Sequence, residues 1–150
     1  MATDFLSQLG RAFPRLIEDG FSETSSATPQ YNCLAWAAKQ TEQGWWPDSF
    51  GAYHWPEGVP REETIESFVR AFAIVGYVRC GDGELEAEHE KVALYARDGK
   101  PTHAARQLSD GTWTSKLGRQ IDIVHTLHGL DGPAYGQIAA FLRRPLPATS

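Results

Sequence analysis

Two side chains at separate points of the sequence could together cleave an amide bond. The first, Cys33, follows the turn-forming residues Thr28-Pro29-Gln30 and precedes an Ala- and Leu-rich run, which predicts the first turn of a helix. The N–H groups of that turn have no partner within the helix and carry partial positive charge, so they favour a thiolate. A thiolate is a nucleophile, although a cysteine that only packs in the core is the commoner case.

The second side chain is His103, near the start of the alternating run Thr102 to Leu108. Residues of equal parity share one face of a strand, so Ala105 and Gln107 are its neighbours there. An imidazole beside small side chains can reach a cysteine and act as its general base. A lone histidine more often hydrogen-bonds a backbone carbonyl, but the presence of a helix-borne cysteine favours the catalytic interpretation.

A third group must fix the tautomer of the imidazole. Asp122 is the first choice, because a carboxylate between Ile121 and Ile123 on a predicted strand needs a partner. The alternatives are Gln107, Asp110 and Gln120. The oxyanion donors would be the backbone N–H of the nucleophile and a polar side chain just upstream, for which Gln30 and Asn32 are the candidates.

The elements that must position these residues follow from hydrophobic periodicity. Helical spacing predicts helices over residues 4–18, interrupted at Pro14, then from Cys33 to about Gln40, and from Pro60 to Gly76. Polar loops are predicted over 21–30 and 81–90, and strands over 77–80, 91–97, 102–108, 112–115, 121–124 and 137–142. Asp-Gly turns at 98–99 and 110–111 indicate an antiparallel meander. Helices precede the sheet, which predicts one α+β domain over residues 1–150, with N-terminal helices packed on an antiparallel β-sheet.

An aromatic loop spans residues 44–60, where prolines and glycines exclude regular structure. Its tryptophans are predicted to fold back as a hydrophobic cap over the core. A cap can also form the wall of a cleft, since binding surfaces concentrate on long ordered loops. Trp46 and Trp55 of this loop, together with Trp113, are therefore candidates for substrate contact.

Composition excludes several classes of partner. The net charge is −5 and no Lys/Arg run occurs, so neither a nucleic acid nor an anionic membrane is expected as a partner. The N-terminus carries acids at Asp4 and Glu18 without an apolar core, which predicts a cytoplasmic protein that could be exported only by a signal-independent secretion system. Cys33 and Cys80 would both be thiols there, with Cys80 packed in the fold.

No cofactor is expected, and two further constellations are discounted. Asp122, His125 and His128 would offer a metal site on a helix, but the isoleucines around them favour a strand, which separates their side chains. Ser115 and Lys116 are adjacent on a predicted strand, so they point to opposite faces and do not form a catalytic pair.

The order of a helix-borne cysteine, a strand-borne histidine and a later acid or amide resembles the papain-like cysteine hydrolases. These include the compact NlpC-type peptidoglycan endopeptidases and the small amidase effectors of bacterial secretion systems. More of the chain resembles the signature blocks of a bacterial family of small stand-alone proteins without an established substrate: Tyr31-Asn-Cys-Leu-Ala-Trp-Ala37, Trp45-Trp46, Trp55-Pro56, Lys91-Val-Ala-Leu-Tyr95, Thr102-His-Ala-Ala-Arg-Gln-Leu108, Trp113-Thr-Ser-Lys-Leu-Gly118, Asp122-Ile-Val-His125 and Tyr135-Gly136.

The papain-like resemblance implies a cysteine peptidase or amidase acting on a peptide-like or peptidoglycan-like substrate. NlpC-type enzymes usually carry the base at the start of the strand that corresponds to residues 91–95, where this chain has Lys91. His103 or His89 would then replace it, or the site is inactive. The competing hypothesis is a non-catalytic interaction module of the same fold, with the aromatic loop as its contact surface.

Overall fold

The structure, a computed structural model, describes residues 11–25, 33–39, 44–48, 50–117 and 122–146. In chain order the elements are α1 (Pro14–Asp19), β1 (Phe21–Ser25), α2 (Cys33–Ala37), α3 (Ile65–Ile74), β2 (Val78–Cys80), β3 (His89–Arg97), β4 (Lys100–Gln107), β5 (Trp113–Lys116), β6 (Asp122–His125) and β7 (Gln137–Pro145). The described structure is mostly antiparallel sheet with few helices, which confirms the predicted α+β class.

The strands form one sheet in the order β1-β6-β5-β4-β3-β7-β2, and every neighbouring pair is antiparallel. Strands β3 to β5 are the predicted meander, and β6, the further strand predicted over 121–124, pairs with β5. In the turn between β3 and β4, Asp98 has a φ of 53° and Gly99 a φ of 82°. Left-handed backbone at both positions matches the twist of the flanking strands, which is why Asp-Gly marks such turns so well.

The two faces of the sheet are covered by different parts of the chain. On the first, the helix face, α2 and α3 pack against Val92, Leu94, Ala104 and Leu142. On the second, the histidine face, Phe13 and Leu16 at α1 join Ala93, Tyr95, Ala105, Trp113 and Ile123. Successive strand residues point to opposite faces, so His103 and Ala104 belong to different sides of the sheet.

Helix α3 secures the aromatic loop. It begins after Thr64, whose side chain accepts a hydrogen bond from the Ser67 N–H at 3.1 Å and so caps the helix. Phe68 on its buried side contacts Trp46 and Trp55, with ring centroids 5.4 Å away in both cases. The loop therefore folds back over the core, as the cap hypothesis predicts. Among the described residues, no helix has the length and apolar character needed to cross a bilayer.

The predicted loop over residues 21–30 is wrong for its first half, because Phe21–Ser25 forms β1. This strand lies at the edge of the sheet and pairs with β6, with Phe21 opposite His125. An edge strand takes its register from its partner, and its polar residues can face solvent, so its own hydrophobic pattern is weak. The remaining predicted strands agree within a few residues, with β3 and β7 longer than expected.

Candidate active site

Cys33 is the first residue of α2 and is buried, with 6% of its surface exposed. Burial raises the pKa of its thiol from 9.0 to about 11, because a thiolate would lose its hydration there. Hydrogen bonds from the backbone N–H groups of Ala104, Leu34 and Cys33 itself lower the pKa, as does the charge of Lys116. The stabilisation expected from the helix start is present, but burial outweighs it, so the resting group is a thiol.

His103 is fully buried on the histidine face. Its ring stacks on Tyr135, with centroids 4.1 Å apart and planes inclined by 7°, and Tyr95 contacts it edge-on at 5.3 Å. Its Nε2 lies 3.0 Å from Ser115 Oγ. Burial, followed by the nearby His125, lowers the pKa of His103 well below 6.5, so the ring is a neutral imidazole clamped between aromatic side chains.

A buried hydrogen-bond chain fixes the tautomers of two histidines. His125 Nδ1 lies 2.7 Å from the Thr126 carbonyl oxygen, which can only accept, so Nδ1 carries the proton. Burial lowers the pKa of His125 to about 4, which leaves its Nε2 as a lone pair. Ser115 Oγ, 2.7 Å away, must donate to that nitrogen and can then only accept from His103 Nε2. His103 is therefore protonated on Nε2.

The hydrogen-bond chain leaves Nδ1 of His103 as an unprotonated nitrogen. That nitrogen has no hydrogen-bond partner among the described residues. The Cys33 sulfur interacts with the N–H of Ala104, the residue that follows His103 in β4. The structure thus brings the predicted nucleophile to the strand that carries the predicted base, but to its other side: Cys33 lies on the helix face and His103 on the histidine face. It does not join the two side chains by a hydrogen bond in the part of the chain that it describes.

Asp122 does not orient His103, which corrects the predicted triad. Asp122 pairs with Lys116 across β5 and β6, and both side chains are fully buried, with Lys116 Nζ 4.0 Å from the carboxylate. Asp122 points away from the buried Ile123, as predicted, but Ile123 lies on the histidine face. The carboxylate is consequently on the helix face, and Ser115 occupies the position at the imidazole that Asp122 was expected to take.

The other candidate orienters and bases are also engaged elsewhere. The Gln107 amide donates to the Gly83 carbonyl at 2.8 Å, and Asp110 accepts from the Thr112 N–H at 2.9 Å within its turn. His89 Nδ1 lies 2.9 Å from the Ala87 carbonyl at the start of β3. Lys91 is buried against Asp82 at 2.9 Å. Gln30, Asn32 and Gln120 lie outside the described residues.

The three tryptophans predicted to contact substrate differ in exposure. Trp113 is buried on the histidine face, and Trp55 is buried in the cap, where its Nε1 donates to the Pro60 carbonyl at 2.9 Å. These two are core residues and present no ring to a ligand. Trp46 is half-buried and borders an open groove.

That groove has a volume of about 540 Å³ and reaches the ring that covers His103. Its lining includes Trp46, Thr102 and Tyr135, and the Thr102 hydroxyl donates to the Tyr135 carbonyl at 2.6 Å. Its charged lining residues are Glu63, Arg97, Asp98 and Lys100. Because Tyr135 stacks on His103, a single ring separates this groove from the imidazole.

The geometry of β6 also separates the residues of the metal site considered above. Asp122 and His125 fall on opposite faces, and His128 is exposed and paired with Asp131 at 2.8 Å. Within the described ranges, no group of three His, Cys, Asp or Glu side chains is arranged to hold a metal ion.

Sequence reasoning missed Ser115 and His125 as partners of His103. The signal was their parity: Trp113, Ser115, Ile123 and His125 share one face once β5 and β6 are in register. Ser115 was considered only with its neighbour Lys116, and His125 only as a metal ligand. Side chains alternate between the two faces along a strand, so the members of both combinations point to opposite faces, whereas residues on neighbouring strands can share a face.

Comparison with known proteins gives a family and no function. No curated protein and no solved structure is similar enough to this chain to be a match. A family model matches residues 22–143, which include every strand except the first residue of β1 and the end of β7. The chain therefore belongs to the family described as "Domain of unknown function (DUF7689)".

Proposed function

We propose that this protein is a papain-like cysteine hydrolase that cleaves an amide bond, with Cys33 as nucleophile and His103 as base. The observation that carries the proposal is the unprotonated Nδ1 of His103 on a ring whose other nitrogen is fixed by Ser115. A general base needs a free lone pair and a fixed orientation, and this imidazole has both. We also propose that the α+β fold of this chain is a papain-like fold of the NlpC type.

The position of the sulfur supports the pairing. Cys33 interacts with the N–H of Ala104, and His103 is the preceding residue of the same strand. Sulfur and imidazole lie on opposite sides of β4, so the proposal requires the start of α2 or the imidazole to move past the strand when substrate binds. Catalytic hydrogen bonds are often long in the free enzyme and tighten with substrate. Ser115 and His125 take the orienting role that a carboxylate has in other triads.

The reaction starts from a neutral pair. The thiol proton moves to Nδ1 as sulfur bonds to the carbonyl carbon, and the resulting imidazolium gives that proton to the departing amine. Water then adds to the thioester, loses its proton to His103, and releases a carboxylic acid and the free thiol. The Cys33 N–H stabilises the oxyanion in both steps. A peptide-like or peptidoglycan-like chain reaches the site along the groove between Trp46 and Tyr135.

An active ester tests the nucleophile without a known substrate. Incubation with p-nitrophenyl acetate should acetylate Cys33, as intact-protein and peptide mass spectrometry would show, with release of p-nitrophenolate. Cys33→Ala should abolish the adduct, and His103→Gln should slow its formation by about 100-fold or more, the usual contribution of a general base. The matched control Cys80→Ala should react like the parent protein. An unmodified Cys33, or an unchanged rate in His103→Gln, would refute the proposal.

Bacterial growth and the release of peptidoglycan fragments then test whether peptidoglycan is the substrate. Directed to the bacterial periplasm, the protein should impair growth and release peptide fragments from peptidoglycan, and the Cys33→Ala form should do neither. Muropeptides left intact by a protein that accepts the active ester would exclude peptidoglycan while leaving a peptide-like substrate.

A non-catalytic interaction module is the second candidate, and the aromatic loop favours it. Phe50 is 94% exposed at the tip of this loop. Asp48 braces the turn by accepting from the Ala52 N–H at 2.8 Å, and Arg61 donates to the Asp48 carbonyl at 2.9 Å. A large exposed ring on a braced loop is typical of a contact surface. A Cys33 that resists both the ester and alkylation would favour this module over the hydrolase.

A further inference from the structure

A fully buried ion pair lies on the helix face beside α2. Lys116 and Asp122 face each other across β5 and β6, at 4.0 Å, with no exposed side-chain surface on either residue. Helix α2 packs on β4 and β5, so its first residue, Cys33, is on the same side of the sheet as the pair.

Stability alone does not account for such a pair. Removing two charges from water is expensive, and replacing a buried ion pair by apolar residues of similar size is often neutral or stabilising. Elsewhere on the helix face, β3, β4 and β7 present the apolar side chains of Val92, Leu94, Ala104 and Leu142, so this face of the sheet is not polar throughout. A charge retained in this environment acts strongly on any other ionisable group nearby.

The ionisable group nearby is the thiol of Cys33. The positive charge of Lys116 lowers the pKa of that thiol, and the sulfur in turn raises the pKa of the lysine. Burial has the larger effect and lowers the pKa of Lys116 below 10.5, while Asp122 opposes this shift. Among the described residues, the hydroxyl of Tyr135 also interacts with the sulfur, and burial raises the pKa of that hydroxyl.

We infer that Lys116 and Asp122 are positioning residues for the nucleophile: Asp122 keeps Lys116 charged, and Lys116 stabilises the thiolate of Cys33. This inference rests on the proposed function and gives Asp122 a role in it other than orienting the imidazole. Lys116 and Asp122 thus act on Cys33 from the helix face through their charges, as Ser115 and His125 act on His103 from the histidine face through hydrogen bonds.

The pH profile of alkylation measures the effect directly. In a Cys80→Ala background, the rate of Cys33 modification by iodoacetamide is followed from pH 7 to 10.5. Lys116→Met should raise the apparent pKa of Cys33 by about 1 unit, which makes alkylation about tenfold slower at a fixed pH below the pKa. Asp122→Asn should shift the profile in the same direction, because an amide no longer holds the lysine charged.

Lys91→Met is the matched control. Lys91 is also a buried lysine in an ion pair, 2.9 Å from Asp82, but it lies on β3 near Cys80. Its variant should alkylate Cys33 within about twofold of the background protein, as expected for sites that do not interact. If either single substitution on the helix face prevents folding, the Lys116→Met/Asp122→Val variant removes both charges and should fold with no lower Tm.

The outcomes separate this inference from the hydrolase proposal. An unchanged profile in Lys116→Met, or an equal shift in Lys91→Met, overturns the inference, while active-ester acylation that depends on His103 still supports the hydrolase. A shifted profile in a protein that takes no acyl group from the ester supports the electrostatic link and overturns the hydrolase. A slower rate with an unchanged thiolate absorbance at 240 nm, taken at pH 10.5 as the difference from the matching Cys33→Ala variant, indicates altered access and also overturns the inference.

Discussion

The two buried histidines should make the stability of the fold depend on pH between 7 and 5. In the folded protein both imidazoles are neutral, because burial lowers the pKa of His125 to about 4 and that of His103 well below 6.5. In the unfolded chain both bind a proton near pH 6.5. The unfolded state therefore binds more protons below that pH, and the free energy of unfolding decreases as the pH falls from 6.5 toward 4.

The magnitude follows from the pKa difference. At pH 5, which is 1.5 units below the ordinary value of 6.5, each neutral imidazole lowers the free energy of unfolding by about 2 kcal/mol relative to pH 7. The two together lower it by about 4 kcal/mol. Carboxyl groups with lowered pKa values, such as Glu90 and Asp110, lose their contribution only below their ordinary values of 4.5 and 3.8. The interval from pH 7 to 5 therefore isolates the histidines.

Urea denaturation followed by tryptophan fluorescence at pH 7, 6 and 5, at constant ionic strength, measures this decrease. His125→Phe should lose about half of the pH dependence. His128→Gln is the matched control, because that ring is exposed and its replacement should leave the dependence intact. A decrease of less than about 1 kcal/mol between pH 7 and 5 would mean that the folded protein also protonates these rings, and the tautomer argument for the free Nδ1 would fail.

Three further substitutions test the packing of polar groups. Ser115→Ala leaves two imidazole nitrogens unsatisfied and should lower the free energy of unfolding by about 2 to 5 kcal/mol in urea, whereas a loss below about 0.5 kcal/mol would contradict the hydrogen-bond chain. Tyr77→Phe removes a buried hydroxyl that lacks a partner among the described residues, so its Tm should stay the same or rise, and a clear fall would show a missed hydrogen bond. Glu90→Gln removes the negative charge that the buried carboxylate presents to Arg144 at 2.6 Å and Lys39 at 2.7 Å, and should lower stability by about 3 kcal/mol by thermal denaturation. No change would mean that the amide oxygen satisfies both cations as well as the carboxylate does.

The parts of the fold that local chemistry determines were predictable. Asp-Gly pairs require left-handed backbone and so located the turn after β3. Phe68 and Phe72 at helical spacing located α3. β1 was missed because an edge strand of polar residues is stabilised by its pairing with β6, which no local pattern reports. The elements were thus readable wherever the stabilising contacts are close in sequence.

The site was predictable only in part for the same reason. Cys33 and His103 stand out by residue type and local context, and parity correctly separated Asp122 from Ile123. To decide which of those two side chains points toward His103, the register of β4, β5 and β6 must be known together. A shift of one residue reverses every side chain in a strand, so the choice between Asp122 and Ser115 could not be made from parity within single strands.

The register also explains why small residues surround the candidate base. Ala104 points to the helix face, where its size lets the start of α2 approach β4 closely enough for the Cys33 sulfur to accept from its N–H. A branched side chain at that position would hold α2 away, since interiors tolerate little added volume. Ala105 on the other face leaves room beside Ser115, whose hydroxyl spans the two imidazoles. The sequence His-Ala-Ala in β4 thus lets two buried polar clusters contact the same strand from opposite sides. The cluster on the helix face contains the Cys33 sulfur and the charge of Lys116, and the cluster on the histidine face contains the neutral imidazole of His103. The thiol and the imidazole are both uncharged because burial raises the pKa of the thiol and lowers that of the imidazole.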